Sequence, residues 1–174
     1  MNTTTSQAET IHSNHADAAM TCVMFLDFDG VVHPEPCNPL HYFAQLPLIE
    51  EVLREHPQVD VVISSSWRGV HALADLRGYF SSDIAPRVVG ITPSNKKTTS
   101  SWLPGRMSSF ERESECDDWM RDNRPWGTPF VAIDDRAHWF RPDSPELLLT
   151  QSLTGFTLGD QALLRAMLGE RLGH

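Results

Sequence analysis

The chain has 174 residues, of which 40% are hydrophobic, and a formal net charge of −9 at pH 7. This length suffices for one domain with a hydrophobic core and is short for two. The negative charge argues against broad, nonspecific binding to nucleic acid or to anionic membrane surfaces.

The first twenty residues are rich in Thr, Ser, Asn, His and Ala. They lack the basic start and apolar centre of a signal peptide, and no later apolar run reaches membrane-spanning length. We therefore expect a disordered leader over residues 1–20, a single domain over residues 21–174 and no membrane partner. Cys22, Cys37 and Cys116 form no Cys-x-x-Cys pair, which favours a reducing cytoplasm without structural zinc.

The first predicted strand is the apolar run that begins at Val23 and ends at Leu26, directly before Asp27, Asp29 and Gly30. Such a run is typical of a buried strand in a parallel sheet. Ligands of open α/β sheets bind at the carboxyl ends of these strands. Because two buried acids without a cation are costly, Asp27 and Asp29 predict a divalent metal and a phosphate.

Helices and strands then alternate along the chain. The predicted elements are a helix from Leu46, a strand over Val59–Ile63, a helix over Val70–Tyr79, a strand over Val88–Ile91, a helix over Phe110–Asn123, a strand over Phe130–Ile133, a weaker strand over Leu147–Leu149 and a helix after Thr157. We expect Glu50 to face water and Leu163 to point inward. The alternation predicts a three-layer α/β domain with a mostly parallel, five-stranded sheet.

Three of these strands end in polar residues, in the chain order Asp27 and Asp29, then Ser64, then Asp134 and Asp135. Each ending alone is weak, since serines often cap helices and acids often end strands. Together, in this order, they resemble the motifs of the haloacid dehalogenase-like (HAD) superfamily of phosphohydrolases. The resemblance extends from about residue 21 to the C-terminus and implies a Rossmann-like fold.

The resemblance also implies a role for each motif residue. Asp27 would attack phosphorus to form an aspartyl-phosphate, and Asp29 would serve first as general acid and then as general base. Asp27, the backbone carbonyl of Asp29 and one or both of Asp134 and Asp135 would hold Mg²⁺, the implied cofactor, and the motif does not specify which of the last two is a direct ligand. Ser64 would donate a hydrogen bond to a phosphate oxygen.

The third motif of the family is a basic residue near a helix start, and here the match is loosest. We choose Arg112 as a catalytic residue, because a helix start would place it near the strand ends. Lys96 and Lys97 are rivals, and an ion pair of Arg112 with Glu115 one helical turn away is the alternative.

Four further residues are candidates for substrate binding: Gly30, Ser65, Arg68 and Lys97. For Arg68, the alternative is a surface arginine beside a packing Trp67. His33 follows the first motif in a proline-rich loop, and we interpret it as a bystander because the mechanism does not require it.

The intervals between the motifs leave no room for the cap domain that many relatives carry. An open site in this family accompanies large substrates, such as nucleic-acid ends or phosphoproteins. Residues 64–112 contain seven basic and three acidic residues, which fits a polyanionic substrate. The runs Ile-Ser-Ser-Ser-Trp-Arg and Ile-Asp-Asp are similar to capless HAD domains of bacterial RNA-repair proteins.

The resemblance therefore implies an Mg²⁺-dependent phosphomonoesterase with an open site suited to a large phosphorylated substrate, such as a nucleic-acid end. One alternative is a phosphatase of nucleotides or small metabolites, with residues 92–109 as a minimal lid. Another is a non-catalytic phosphate-binding module, against which the presence of both Asp27 and Asp29 counts. A third is a structural domain whose acids bind a stabilising cation. The pattern does not specify an oligomeric state.

Overall fold

The computed structural model describes residues 21–94 and 110–173, so the predicted leader and the lysines at positions 96 and 97 lie outside it. Strands and helices alternate through the described ranges. The strands are β1 (Cys22–Leu26), β2 (Val59–Ile63), β3 (Val88–Ile91), β4 (Phe130–Asp134) and β5 (Leu147–Leu149). The helices are α1 (Leu46–Glu55), α2 (Leu73–Arg77), α3 (Glu111–Asn123) and α4 (Leu158–Leu172).

The five strands form one parallel sheet in the order β3-β2-β1-β4-β5, which confirms the predicted architecture. β1 lies at the centre, with Leu26 level with Ile63 on one side and with Ile133 on the other. The chain extends the sheet from β1 first in one direction and then in the other. The resulting crevice at the carboxyl end of β1 is where open α/β sheets bind ligands.

Helices cover both faces of the sheet. On one face α1 and α4 pack against residues of alternate strand positions, including Met24 and Leu26. On the other face Cys116 and Trp119 of α3 pack against Val23 and Phe25. β1 is thus buried on both faces, which explains why its sequence is apolar without alternation.

All strands and α-helices of the described ranges belong to this sheet and its two helical layers. The stretch at residues 95–109 that separates the ranges is shorter than a folded domain. The fold is therefore a Rossmann-like domain without a cap, as predicted. Among the described helices, none has the length and apolar character needed to cross a lipid bilayer.

The predicted helix over Val70–Tyr79 is wrong in extent. A 3-10 turn over Ser66–Gly69 comes first, and α2 is limited to Leu73–Arg77. The Ser65 side chain accepts the N–H of Trp67 and caps the 3-10 turn. Ala72 is extended, which separates this turn from α2. Trp67 therefore lies within a 3-10 turn and not just before a single long helix.

Two predicted side-chain orientations are also wrong. Glu50 is buried, because its carboxylate accepts the N–H and the hydroxyl of Ser81 across the molecule. Leu163 is 57% exposed, since α4 turns Leu164 and Leu168 toward the sheet instead. Helical periodicity located both helices but did not set the edges of their buried stripes.

Candidate active site

Three carboxylates meet at the carboxyl edge of the sheet. Asp27 follows β1, Asp134 ends β4 and Asp135 comes directly after it. One oxygen from each lies within 4.8 Å of the others. The strand ladder sets this arrangement, because the N–H of Asp27 donates to the carbonyl of Ile133 at 3.1 Å. The adjacent parallel strands bring together acids that lie more than a hundred residues apart.

Asp134, at the end of β4, is strongly perturbed by its burial. Burial, together with the neighbouring charge of Asp27, raises the pKa of the Asp134 carboxyl to about 8. Its Oδ1 accepts the N–H of Arg136 at 2.8 Å, whereas its buried Oδ2 has no hydrogen-bond partner. The charge of Arg112, whose Nε lies 3.4 Å from Oδ2, only partly opposes this rise in pKa, so the site favours either a proton or a further cation.

Asp27 is buried beside it. Burial raises the pKa of the Asp27 carboxyl, while the charge of Arg112 and hydrogen bonds from the Phe28 N–H and the Ser65 side chain oppose this effect. The Phe28 N–H donates to Asp27 Oδ1 at 2.8 Å. These contacts hold the carboxylate at the strand end with one oxygen directed toward the other two acids.

Asp135 lies against the turn that follows β1. Gly30 has a φ of +74°, and a β-carbon there would be 2.6 Å from Cγ of Asp135. The Ser152 hydroxyl donates to Asp135 Oδ2, and the Gly30 carbonyl accepts the Thr150 hydroxyl at 2.8 Å. Only glycine combines this backbone conformation with so close an approach. Gly30 therefore shapes the acid cluster, and contact with substrate stays a prediction for it.

We expect Gly30→Ala to weaken Mg²⁺ binding about 10-fold or more, because the new methyl group displaces the Asp135 carboxylate. The positive φ adds a backbone cost of about 1 kcal/mol. Calorimetric titration with Mg²⁺ and thermal unfolding measure the two effects separately. Gly127→Ala is the matched control, since its φ is +84° but no atom lies within 4 Å of the added carbon. Equal loss of Mg²⁺ affinity in both variants would contradict this account.

The three acids fit a divalent metal of the Mg²⁺ type. Such ions prefer carboxylate oxygens and retain several waters. Besides Asp134 Oδ2, Asp135 Oδ1 is also buried without a hydrogen-bond partner. Asp29 does not join this cluster with its carboxylate, and its backbone carbonyl as a ligand stays a prediction. The donor set thus matches the predicted cofactor through Asp27, Asp134 and Asp135.

Ser64 and Ser65 follow β2 beside the acids, and both are buried. The N–H of Ser64 extends the ladder to the carbonyl of Leu26 at 3.0 Å. The Ser65 side chain lies close enough to the Asp27 carboxyl to lower its pKa. The structure therefore brings both serines to the site, with Ser65 closest in interaction to the predicted nucleophile.

Arg112, in the first turn of α3, reaches the acid cluster. Its side chain is 6% exposed, and its Nε lies 3.4 Å from Asp134 Oδ2. The guanidinium stacks 4.8 Å from the ring centre of Trp139, and its buried Nη1 has no hydrogen-bond partner. The alternative pair with Glu115 is not adopted, because Glu115 binds Arg68 at 2.5 Å. Arg112 therefore presents an unpartnered donor beside the carboxylates, which suits a phosphate oxygen.

Arg68 is engaged elsewhere. Its guanidinium donates to the carbonyl of Ser64, to the carbonyl of Ser65 at 2.8 Å, and to Glu115. These contacts fasten the segment after β2 to α3. They describe a residue that supports the serine backbone, and direct contact with substrate stays a prediction.

The excess of basic residues in the segment 64–112 does not form a free basic surface in the part of the chain described. Arg77 donates to the carbonyl of Val88, and Arg87 donates to the carbonyls of Leu53, His56 and Val59. Like Arg68, these arginines satisfy buried backbone oxygens. The excess of basic residues in this segment is therefore weaker evidence for a polyanionic substrate than the sequence indicated.

Asp29 lies within the turn that follows β1, with its side chain 32% exposed. Its Oδ1 is 3.1 Å from His33 Nε2, and its Oδ2 accepts the indole N–H of Trp67 at 2.9 Å. The sequence interpretation missed both partners. The four-residue spacing of His33 within a turn was an available signal, whereas Trp67 is 38 positions away and only the tertiary structure brings it near.

A cleft of about 140 Å³ opens above these groups. Its described lining includes Asp27, Asp29, Ser66, Arg112, Asp135 and Trp139. A larger groove of about 740 Å³ adjoins it and shares Ser66, Arg112 and Trp139 with it. The predicted nucleophile, acid and basic residue thus face a common cleft that continues into a wider groove.

Comparison with known proteins agrees with this geometry. Residues 23–160 match the family model described as the HAD domain in Swiss Army Knife RNA repair proteins. No curated protein and no solved structure matches the chain. The matched range is well over half of the chain and contains every strand residue except the first residue of β1, together with Asp27, Asp29, Ser64, Asp134, Asp135 and the candidate Arg112. The chain therefore belongs to the HAD superfamily, in the family of HAD domains described from Swiss Army Knife RNA repair proteins.

Proposed function

We propose that this protein is an Mg²⁺-dependent phosphomonoesterase that acts through an aspartyl-phosphate on Asp27. The observation that carries the proposal is the convergence of Asp27, Asp134 and Asp135, next to Arg112, whose Nε pairs with Asp134 and whose buried Nη1 has no hydrogen-bond partner. Carboxylates that converge on one ion and one cation that faces a cleft suit a phosphate held between them.

In the first step, a carboxylate oxygen of Asp27 attacks phosphorus, and the bond from phosphorus to the leaving oxygen breaks. Asp29 gives its proton to that oxygen, so that an alcohol leaves rather than an alkoxide. Arg112, through its unpartnered Nη1, is suited to donate a hydrogen bond to a phosphoryl oxygen, and we assign the same role to the Ser64 hydroxyl. Asp27, Asp134 and Asp135 would hold Mg²⁺, which would supply positive charge to offset the charge of the phosphate and the carboxylates.

In the second step, Asp29 accepts a proton from a water molecule whose oxygen attacks the aspartyl-phosphate. The bond between phosphorus and the Asp27 oxygen breaks, which releases inorganic phosphate and regenerates both carboxyl groups. The aspartyl-phosphate on Asp27 thus divides one difficult displacement into two easier ones, and Asp29 serves as acid in the first and as base in the second.

We further propose that the substrate is a terminal phosphate of RNA. The relatives that define the family are described as RNA repair proteins. The capless fold leaves the cleft open to the adjoining groove, which offers space for a substrate larger than phosphate itself.

The test compares phosphate release in Mg²⁺ and in EDTA, using an aryl phosphate, an RNA oligonucleotide phosphorylated at either end and the corresponding mononucleotide. We expect activity only with Mg²⁺, and a kcat/KM for one oligonucleotide at least about 10-fold above that for the mononucleotide. Equal values would favour a phosphatase of nucleotides or small metabolites. No release from any substrate, with calorimetry showing Mg²⁺ bound, would favour a non-catalytic phosphate-binding module.

A further inference from the structure

We propose that Trp67 and His33 are positioning residues that hold the Asp29 carboxylate where it exchanges its proton. This inference rests on the proposed function, in which Asp29 is the general acid and base. It assigns a role to two side chains that would otherwise be only members of a packed group of rings.

Trp67 supplies one of the two hydrogen bonds. Its indole Nε1–H donates to Asp29 Oδ2 at 2.9 Å. The ring is held edge-on by Phe28 at 5.7 Å and by Phe43 at 5.6 Å between centroids. Because indole nitrogen is only a donor, this contact has one possible polarity. The surrounding rings therefore keep the donor directed at the carboxylate.

His33 supplies the other hydrogen bond. Its ring is 1% exposed, and its Nε2 lies 3.1 Å from Asp29 Oδ1. Its Nδ1 faces the N–H of Phe43 at 3.5 Å, which assigns Nδ1 as the acceptor and Nε2 as the protonated nitrogen. The ring also packs 4.6 Å from Tyr42. The histidine is thus fixed in the tautomer that donates to Asp29.

Asp29 needs this support because the sheet no longer holds it. β1 ends at Leu26, and Asp29 follows at the turn in which the N–H groups of Val31 and Val32 donate to the carbonyl of Phe28. Its side chain is partly open to solvent. A carboxyl group in such a place rotates freely unless both oxygens are engaged, and proton transfer requires hydrogen-bond reach of the leaving oxygen.

The hydrogen bond from Trp67 to Asp29 also connects the segment after β2 with the turn after β1. The side chain of Ser65 interacts with Asp27 and accepts the N–H of Trp67 at 3.4 Å. The same short segment therefore lies beside the nucleophile at Ser65 and donates a hydrogen bond to the acid through Trp67. The spacing between nucleophile and acid is thus held through the segment after β2 as well as through the turn after β1.

The test removes each N–H while keeping the packing. Trp67→Phe keeps a ring, and Trp126→Phe at a fully exposed tryptophan is its matched control. His33→Gln places an amide N–H near the position of Nε2, whereas His33→Asn places it near Nδ1, out of reach of Asp29. Asp29→Asn is the reference for complete loss of the acid. Thermal unfolding of every variant identifies any that fail to fold.

Hydrolysis is compared for 2,4-dinitrophenyl phosphate, whose leaving group needs no proton, and for phenyl and alkyl phosphates, whose leaving groups do. We expect Trp67→Phe and His33→Asn to lower kcat/KM for the latter by about 10- to 100-fold, but for the dinitrophenyl ester by less than about threefold. His33→Gln and Trp126→Phe should retain the wild-type pattern.

The other possible results separate failure of the positioning role from failure of the proposed function. If Trp67→Phe and His33→Asn lower kcat/KM equally for all substrates, or for none, the positioning role is wrong, and the proposed enzymatic function is unaffected. The result for His33→Gln separates the lost donor from disturbed packing if His33→Asn unfolds. If Asp29→Asn itself shows no dependence on the leaving group, or wild type has no activity, the proposed function fails and this inference fails with it.

Discussion

Replacement of Asp27 by Asn is expected to lower kcat for phosphate release by at least about 10³-fold while the fold persists. An amide oxygen is a poor nucleophile toward phosphorus, and the substitution preserves the volume of the buried side chain. It also removes one of three crowded negative charges. The melting temperature without metal should therefore equal or exceed that of wild type.

The measurement is phosphate release at saturating aryl phosphate and Mg²⁺, with thermal unfolding of the same samples. Asp143→Asn is the matched control, because this exposed residue has a φ of +58°, a conformation that Asn also tolerates. Wild-type turnover by Asp27→Asn would exclude the aspartyl-phosphate mechanism. Equal loss in both variants would attribute the effect to the protein preparation rather than to the nucleophile.

The second large effect concerns stability. We expect the free energy of unfolding to depend on both pH and Mg²⁺ through Asp134. Its folded pKa of about 8 lies above the ordinary value of 3.8. Between these values the folded state binds the proton more tightly than the unfolded state does. The free energy of unfolding therefore falls as pH rises from 3.8 toward about 8 in metal-free protein.

We expect metal-free protein to lose on the order of 2 kcal/mol between pH 5 and pH 8, or about 5 °C in melting temperature. Mg²⁺ should reverse the loss, since a cation replaces the proton between the carboxylates. At a concentration of about 100 times Kd it adds roughly 2.7 kcal/mol. The stabilisation by Mg²⁺ should accordingly be larger at pH 8 than at pH 5.

Asp134→Asn isolates this effect from the titration of other groups. The variant should be more stable than wild type in EDTA at pH 8, and its melting temperature should not respond to Mg²⁺. Differential scanning fluorimetry over a grid of pH and Mg²⁺ concentration makes the comparison. A wild-type melting temperature that rises from pH 5 to pH 8 in EDTA, relative to Asp134→Asn, would show that Asp134 is not buried as a strained acid.

Several elements were predictable because their signals are local. β1, β2 and β4 are apolar runs that end abruptly in polar residues, so their positions and the edge where they end follow from the chain itself. The capping box at Thr157 likewise marks the start of α4, and the structure shows both of its hydrogen bonds. α2 was harder, since the 3-10 turn before it depends on a serine cap and on the contacts of Trp67.

The partners of charged groups were not predictable in the same way. Glu115 lies one helical turn from Arg112, yet Arg112 pairs with Asp134, because Glu115 binds Arg68. His33 was interpreted as a bystander, although the turn brings its ring to Asp29. Long side chains reach several acids of similar distance, and only the packing of all elements selects among them.

The sequence by itself determined the fold class, the HAD motifs and the edge of the sheet where Asp27, Asp134 and Asp135 meet. These depend on hydrophobic runs and on the rule that neighbouring parallel strands end together. The tertiary structure decided which carboxylates converge on a candidate metal site and that Arg112 pairs with one of them. It also decided that Trp67 and His33 form hydrogen bonds with Asp29. The physical reason is that side-chain partnership is set by distances of 3 to 4 Å between distant segments, which local patterns do not encode.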